Sequence, residues 1–134
     1  MPGNAPFERL DFLYMPSRDV AADMEHFTGA LGAELVFAIE AFGARVAMVR
    51  LAEGAPDVLL ADHLEGERPI LVYRVADLDA AVERVRTRGG EPGPRFGIPH
   101  GPCCEVATPG GHRVALYQLT RPEVGERLAG RRDF

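Results

Sequence analysis

The stretch Ile70-Leu71-Val72-Tyr73-Arg74-Val75-Ala76-Asp77-Leu78-Asp79-Ala80-Ala81 decides the fold. It opens as an apolar run with β-branched residues, and at Asp77 the spacing changes. From there Leu78, Val82 and Val85 recur on one helical face until Gly89-Gly90 ends the pattern. Residues 69–75 therefore read as a strand, and residues 77–88 as the helix that follows it. Shifting the chain by 58 residues, so that Phe12 meets Ile70, repeats the same order. Leu13 then meets Leu71, Asp19 meets Asp77, Ala22 meets Ala80, Glu25 meets Glu83 and Gly32 meets Gly90. Val20, Met24 and Phe27 land on Leu78, Val82 and Val85, with Leu31 continuing the first apolar face. The first half thus begins with a strand at 10–15 and a helix at 19–32, capped by Ser17 or Asp19.

Working outward, strand-like stretches follow at 34–39, 45–51 and 58–63, with turns at Phe42-Gly43 and Gly54-Ala55-Pro56. The second half continues with an extended Pro/Gly-rich piece at 92–99 and a strand at 103–108. The turn Pro109-Gly110-Gly111 then leads to a last strand at 113–119. Each half reads βαβββ. The expectation is an α+β protein, a single domain over residues 1–134 made of tandem βαβββ modules at about 8–65 and 68–120. The modules join near residues 66–69 and form curved mixed sheets around a cavity. A charged tail at 121–134 keeps a short helical pattern through Val124 and Leu128.

Composition narrows the chemistry. The 134 residues suit one domain, and 46% hydrophobic with 26% charged residues is ordinary globular usage. All 15 basic residues are arginine, which removes Schiff-base lysine chemistry and the P-loop. Ser17 is the single serine, a poorly placed nucleophile. A net charge of −5 argues against nucleic acid as a partner. No apolar run approaches the roughly 20 residues of a membrane helix. The start, Met1-Pro2-Gly3-Asn4-Ala5-Pro6, has neither the basic region nor the apolar core of a signal peptide, so the expected location is the cytoplasm with no membrane partner. Cys103-Cys104 cannot staple distant segments and read as reduced thiols. Strand alternation is expected to bury one and expose the other.

The repeat and its motifs resemble the vicinal oxygen chelate superfamily: glyoxalase I, extradiol dioxygenases, fosfomycin resistance proteins and bleomycin resistance proteins. Phe12-Leu13-Tyr14-Met15-Pro16-Ser17-Arg18-Asp19-Val20 resembles the opening strand and turn, and His26-Phe27-Thr28-Gly29-Ala30-Leu31-Gly32 the end of the first helix. The stretch from Ile70 to Ala81 resembles the second strand-to-helix signature. Thr108-Pro109-Gly110-Gly111-His112-Arg113-Val114-Ala115-Leu116 resembles the last turn and strand. Enzymes of the family hold a divalent metal inside a cupped sheet through His, Gln or Glu. The resemblance places those ligand positions at Phe12, Leu59, Ile70 and Ala115, all apolar here. A metal of the Zn, Fe, Mn or Ni kind needs three or four N, O or S donors at about 2.0–2.3 Å. A one-residue slip offers Asp11 at the first position but nothing at Ile70 or Ala115.

With those positions inward, alternation also turns Tyr14, Val72 and Tyr117 into the cup, with His63, Arg74 and Arg113 as polar anchors. Leu13, Met15, Leu71, Tyr73, Val114 and Leu116 face the helices instead. The candidate ligand-binding set is Phe12, Tyr14, Leu59, His63, Ile70, Arg74, His100, Ala115 and Tyr117, with His100 in the loop that borders the cavity. This aromatic and aliphatic lining suits a small organic ligand. Equally, the same side chains can close the cavity into core. His26 reads as solvated and His112 as a turn residue. His63 and His100 with Glu105 or Cys103 could form a relocated metal site, and Cys103-Cys104 a redox pair or nucleophile in place of plain packing. The leading expectation is a metal-free, cofactor-free small-molecule-binding protein, a homodimer. Its alternative is a lyase or dioxygenase-like enzyme of the same superfamily using unfamiliar metal ligands or none. An accessory module with a closed cavity is the third class.

Overall fold

The computed structural model describes residues 5–134. The stretch Met1-Pro2-Gly3-Asn4, which bears on the expected absence of a leader, lies outside them. The first module is β1 (Arg9–Pro16), α1 (Val20–Gly29), β2 (Glu34–Ala41), β3 (Ala44–Arg50) and β4 (Asp57–Ala61). The second is β5 (Ile70–Val75), α2 (Leu78–Thr87), β6 (Pro92–Ile98), β7 (Gly101–Val106) and β8 (Arg113–Gln118), followed by α3 (Val124–Leu128). The protein is α+β, with two βαβββ modules. Contacts group residues 12–69 with 125–134 in one unit, and residues 70–124 with the chain up to Asp11 in the other. No helix among the described residues is long and apolar enough to cross a membrane.

In the first unit the strand order is β2-β3-β4-β1. The two hairpins are antiparallel, and β1 runs parallel to β4 with Tyr14 opposite Leu59 and Pro16 opposite Ala61. Asp19 caps α1 by accepting a hydrogen bond from Ala22 N at 3.0 Å. The helix then buries Val20 and Met24 against Ala47, Val49, Val58 and Leu60, with Leu13, Met15 and Phe27 at the margin. Its end departs from the expected boundary at 32. Ala33 N bonds back to Phe27 O at 2.9 Å and Gly32 takes φ +75°, the left-handed closure that satisfies final-turn carbonyls. That turn swings Leu31 off the buried face, leaving it 56% exposed.

The β2–β3 hairpin closes through Phe42 (φ +52°) and Gly43 (φ +77°) between the paired Ala41 and Ala44. Two left-handed residues match the twist of a tight hairpin, a position that asparagine usually fills before glycine. Phe42 is a bulky residue in that conformation, and its ring is fully exposed.

The tail folds onto this unit. Gly130 N donates to Val36 O at 2.8 Å, Arg131 O accepts from Ala38 N at 2.9 Å, and Asp133 N donates to Ala38 O at 2.7 Å. Asp133 Oδ2 accepts from Glu40 N at 2.9 Å. Arg132 thus forms a parallel bridge with Ala38, and the Arg45 guanidinium sits 4.6 Å from the Phe134 ring centre.

In the second unit the order is β5-β8-β7-β6, with β5 parallel to β8 and the remaining pairs antiparallel. Asp77 caps α2 by accepting from Ala80 N at 3.0 Å, and Gln118 Oε1 accepts from Leu78 N at 2.9 Å. Leu78, Ala81 and Val82 pack on Val75, Cys104 and Leu116. Residues 92–98 form a true strand despite two prolines. It is the outermost strand, and an irregularity between Pro92 and Arg95 removes Pro94 from the ladder. Both cysteines are buried, against the expectation that one is exposed. β7 lies between β6 and β8; Cys104 packs beneath α2, and Cys103 on the opposite face is covered too.

Gly101 begins β7 where the chain passes close to β8. A Cβ there would stand 1.9 Å from Gln118 O, whereas one at Gly97 would meet nothing within 4 Å. Gly101→Ala is expected to lower unfolding free energy by about 2–3 kcal/mol, since the backbone itself must shift. Gly97→Ala should lie within about 0.5 kcal/mol of the parent in the same urea titration. Equal effects would mean that the close approach carries no strain.

Candidate functional site

Each sheet has one face under its helix and one face turned away from it. In the first unit Leu13, Met15, Val58 and Leu60 go to the helix side, so Phe12, Tyr14 and Leu59 occupy the other. In the second, Tyr73, Val75, Cys104 and Leu116 go to the helix side, leaving Ile70, Val72, Arg74, Ala115 and Tyr117 opposite. Tyr14 and Leu59 are register partners, as are Val72 with Ala115 and Arg74 with Tyr117. The four positions matched to metal ligands are all buried, with Leu59, Ile70 and Ala115 fully so and Phe12 6% exposed.

The histidines fall differently. His63 lies beyond the end of β4 and is exposed, not the inward end of a strand running to 63. β4 stops at Ala61; Asp62 next to it donates its backbone N–H to Arg45 O at 3.3 Å, and its carboxylate accepts from Arg45 N at 3.0 Å in place of a backbone carbonyl. The His63 ring still meets Tyr14 edge to face, at 6.1 Å between centroids. His100 occupies the β6–β7 turn and is buried, its carbonyl accepting from Thr120 N and Arg121 N at 3.2 and 3.1 Å. His26 and His112 are exposed. Arg113 pairs with Glu105 at 2.9 Å.

The polar centre of the second unit joins Arg74 and Tyr117, both in the candidate set, to Asp11, which the sequence offered only as a metal ligand after a one-residue slip. Asp11 has a side chain only 7% exposed and accepts hydrogen bonds from Tyr117 OH and Arg9 Nε. Arg74 Nε stands 2.9 Å from its Oδ2, and Glu8 Oε1 lies 3.8 Å from the same nitrogen. Two guanidinium groups and a phenol thus stand around this enclosed carboxylate where water would otherwise be. Burial, then the hydrogen bond to Asp11, push the Tyr117 phenol above its ordinary range, so it stays a donor. Burial likewise holds the Cys103 thiol well above the thiolate range, which leaves it inert. The signal for Asp11 was a single acidic residue within the apolar run from Leu10 to Met15. A separate, polar cleft of about 440 Å³ lies in the first unit between Pro16, Ser17, Arg18, Asp62, Leu64, Gly66 and Glu67. None of the sequence-selected residues lines it.

Two βαβββ modules with parallel first and last strands match solved structures over nearly the whole chain. Methylmalonyl-CoA epimerase from Mycobacterium tuberculosis superposes with a TM-score of 0.75 at 22% identity, covering 94% of this chain and 97% of that one. A variant of Streptomyces coelicolor methylmalonyl-CoA epimerase, in complex with 2-nitronate-propionyl-CoA, gives 0.69 at 20% identity over 85% and 99%. A hypothetical protein from Bacillus halodurans C-125 gives 0.69 at 12% identity over 82% and 93%. The chain has the vicinal oxygen chelate fold. It matches no protein-family model and no curated protein.

The divalent metal of this fold's enzymes can be tested against the residues present. Phe12, Leu59, Ile70 and Ala115 carry no lone pair to donate, so this set does not fit a metal. Among the described residues, no three His, Cys, Asp or Glu side chains gather as an alternative group.

The Asp11 cluster predicts a stability pattern. Tyr117→Phe removes a donor from a buried carboxylate and should cost about 1–2 kcal/mol. Asp11→Asn should cost about 1–3 kcal/mol, discounted because Arg9 and Arg74 reach solvent. The phenol's folded pKa is raised, so its contribution is whole below the unfolded value near pH 10 and declines as pH rises beyond it. Alkaline denaturation of parent and Tyr117→Phe should therefore converge above that pH. Parallel curves would remove Tyr117 from the linkage.

Proposed function

We propose that the protein binds a small organic molecule on the helix-free faces of its sheets, without the divalent metal used by enzymes of this fold. The observation that carries the reading is the replacement of all four inherited donor positions by the buried apolar residues Phe12, Leu59, Ile70 and Ala115. One such replacement could be rescued by water; four leave only apolar surface. Burying ligand there is worth about 25 cal/mol per Å² of apolar area. Tyr14 and Tyr117 supply aromatic walls, and Arg74 and His100 supply polar atoms. These side chains are buried, apart from the half-buried Arg74. A ligand among them must displace this packing, and the apparent affinity falls by the population of the conformation that admits it. The reading includes a homodimer and a cytoplasmic location.

A second reading is favoured by the match to epimerases, some solved with a CoA thioester. Here the chain is an enzyme acting on an acyl-CoA thioester with its own residues in place of the usual metal set.

Two measurements separate the readings. Elemental analysis of protein purified without chelator should find no stoichiometric divalent metal. Thermal shift against a panel of apolar and aromatic compounds, with acyl-CoA thioesters included, should then show saturable stabilisation. A ligand at one hundred times its Kd adds about 2.7 kcal/mol. Metal-free protein that catalyses deuterium exchange at C2 of methylmalonyl-CoA in D2O would establish the enzyme and sink the binding-protein reading. Stoichiometric metal held through His63, His100 or Glu105 would do the same.

A further inference from the structure

The outer edge of β2 is occupied by residues 130–134. β2 reads Glu34-Leu35-Val36-Phe37-Ala38-Ile39-Glu40-Ala41, a long edge strand with an apolar centre. Such an edge is a template for another strand unless it is covered. Residues 130–134 cover it through the three backbone bonds at Val36 and Ala38 and the Asp133 carboxylate on Glu40 N. The cover is short, and residues 130–133 are exposed. Its side-chain anchors are Arg131 with Asp133 at 2.8 Å at the surface, and the half-buried Phe134, which lies against the core cluster and under Arg45. With one apolar anchor and solvent-exposed backbone bonds, the segment opens locally at less cost than global unfolding.

We propose that residues 130–134 form a releasable strap that blocks β2 from pairing with the β2 strand of a second copy of this chain. The outward donors and acceptors at Val36, Ala38 and Glu40 are the ones an incoming strand would take. An antiparallel pairing with its two-fold at Ala38 sets Glu40 opposite Val36 and Ile39 opposite Phe37, and the register shift between Leu35 and Phe37 limits it to residues 36–40. No two carboxylates then stand directly opposite, so charge does not oppose the pair. The arrangement is isologous.

The test compares the full chain with a chain ending at Ala129, by sedimentation from low to high micromolar concentration. The shortened chain should show a weight-average mass above that of the full chain, rising with concentration. Identical masses throughout would overturn the proposal. Glu40→Pro in the shortened chain removes an outward N–H at an exposed position and should return the mass to that of the full chain. Mass that stays above that of the full chain in this variant, with a cooperative melt retained, shows association through another surface and refutes the β2 pairing. Should the shortened chain fail to fold, the full-length double variant Asp133→Ala, Phe134→Ala gives the second reading by amide exchange. Ala38 and Glu40 should exchange about tenfold faster than in the parent, with Ala47 in the neighbouring β3 ladder unchanged. Unchanged rates at Ala38 and Glu40 would show that the strap is not held by these contacts, and the proposal would fall.

Discussion

In each module the first strand hydrogen-bonds in parallel to the last, β1 to β4 and β5 to β8, and no tight turn can join a parallel pair. The chain must leave the sheet, cross it and come back. The helix makes that crossing, and the intervening two strands return by antiparallel hairpins. This ordering explains why Asp19 and Asp77 stand at matching points, each ending the first strand's segment and opening a helix. It also leaves each sheet with one face under its helix and one face free for another purpose.

On the helix-free faces Phe12, Leu59, Ile70 and Ala115 are hydrocarbon, yet one buried carboxylate, Asp11, is bonded to Arg74 and Tyr117. Asp11 is tolerable because its partners are matched to it. Two arginines deliver charge through planar groups, and Tyr117 adds a neutral donor from β8. In a chain without lysine every such pairing uses guanidinium, whose fixed fork holds carboxylates in defined orientations. The result is a polar cluster held among apolar side chains with its buried carboxylate partnered.

The architecture was legible because periodicity and capping recur together, and a repeat tests each half against the other. What escaped detection was set by contacts distant in sequence. The end of α1 depended on a left-handed Gly32, so Leu31 kept the right spacing but lost its burial. His63 continued an apolar run, but Asp62 had already turned to the Arg45 backbone. Both cysteines are covered, Cys104 under α2 and Cys103 on the opposite face, because alternation separates the two faces without saying that either one is exposed. Asp11 gave a signal, an acid among apolar residues, but its partners lie 63 and 106 residues away, at Arg74 and Tyr117. The apolar character of Phe12, Leu59, Ile70 and Ala115 could be read directly.

The hairpin tip at Phe42 bears on how the molecules behave in concentrated solution. Its ring stands wholly in water, and Leu31 and Leu51 are also substantially exposed. At neutral pH a net charge of −5 keeps neighbouring molecules apart. Near pH 5.3 that repulsion disappears while the rings and aliphatic groups remain. The solubility minimum should therefore be steep, and added salt should mimic acidification by screening the charge that opposes contact. Replacing Phe42 with asparagine would suit the turn and also flatten that minimum, separating colloidal behaviour from the fold itself.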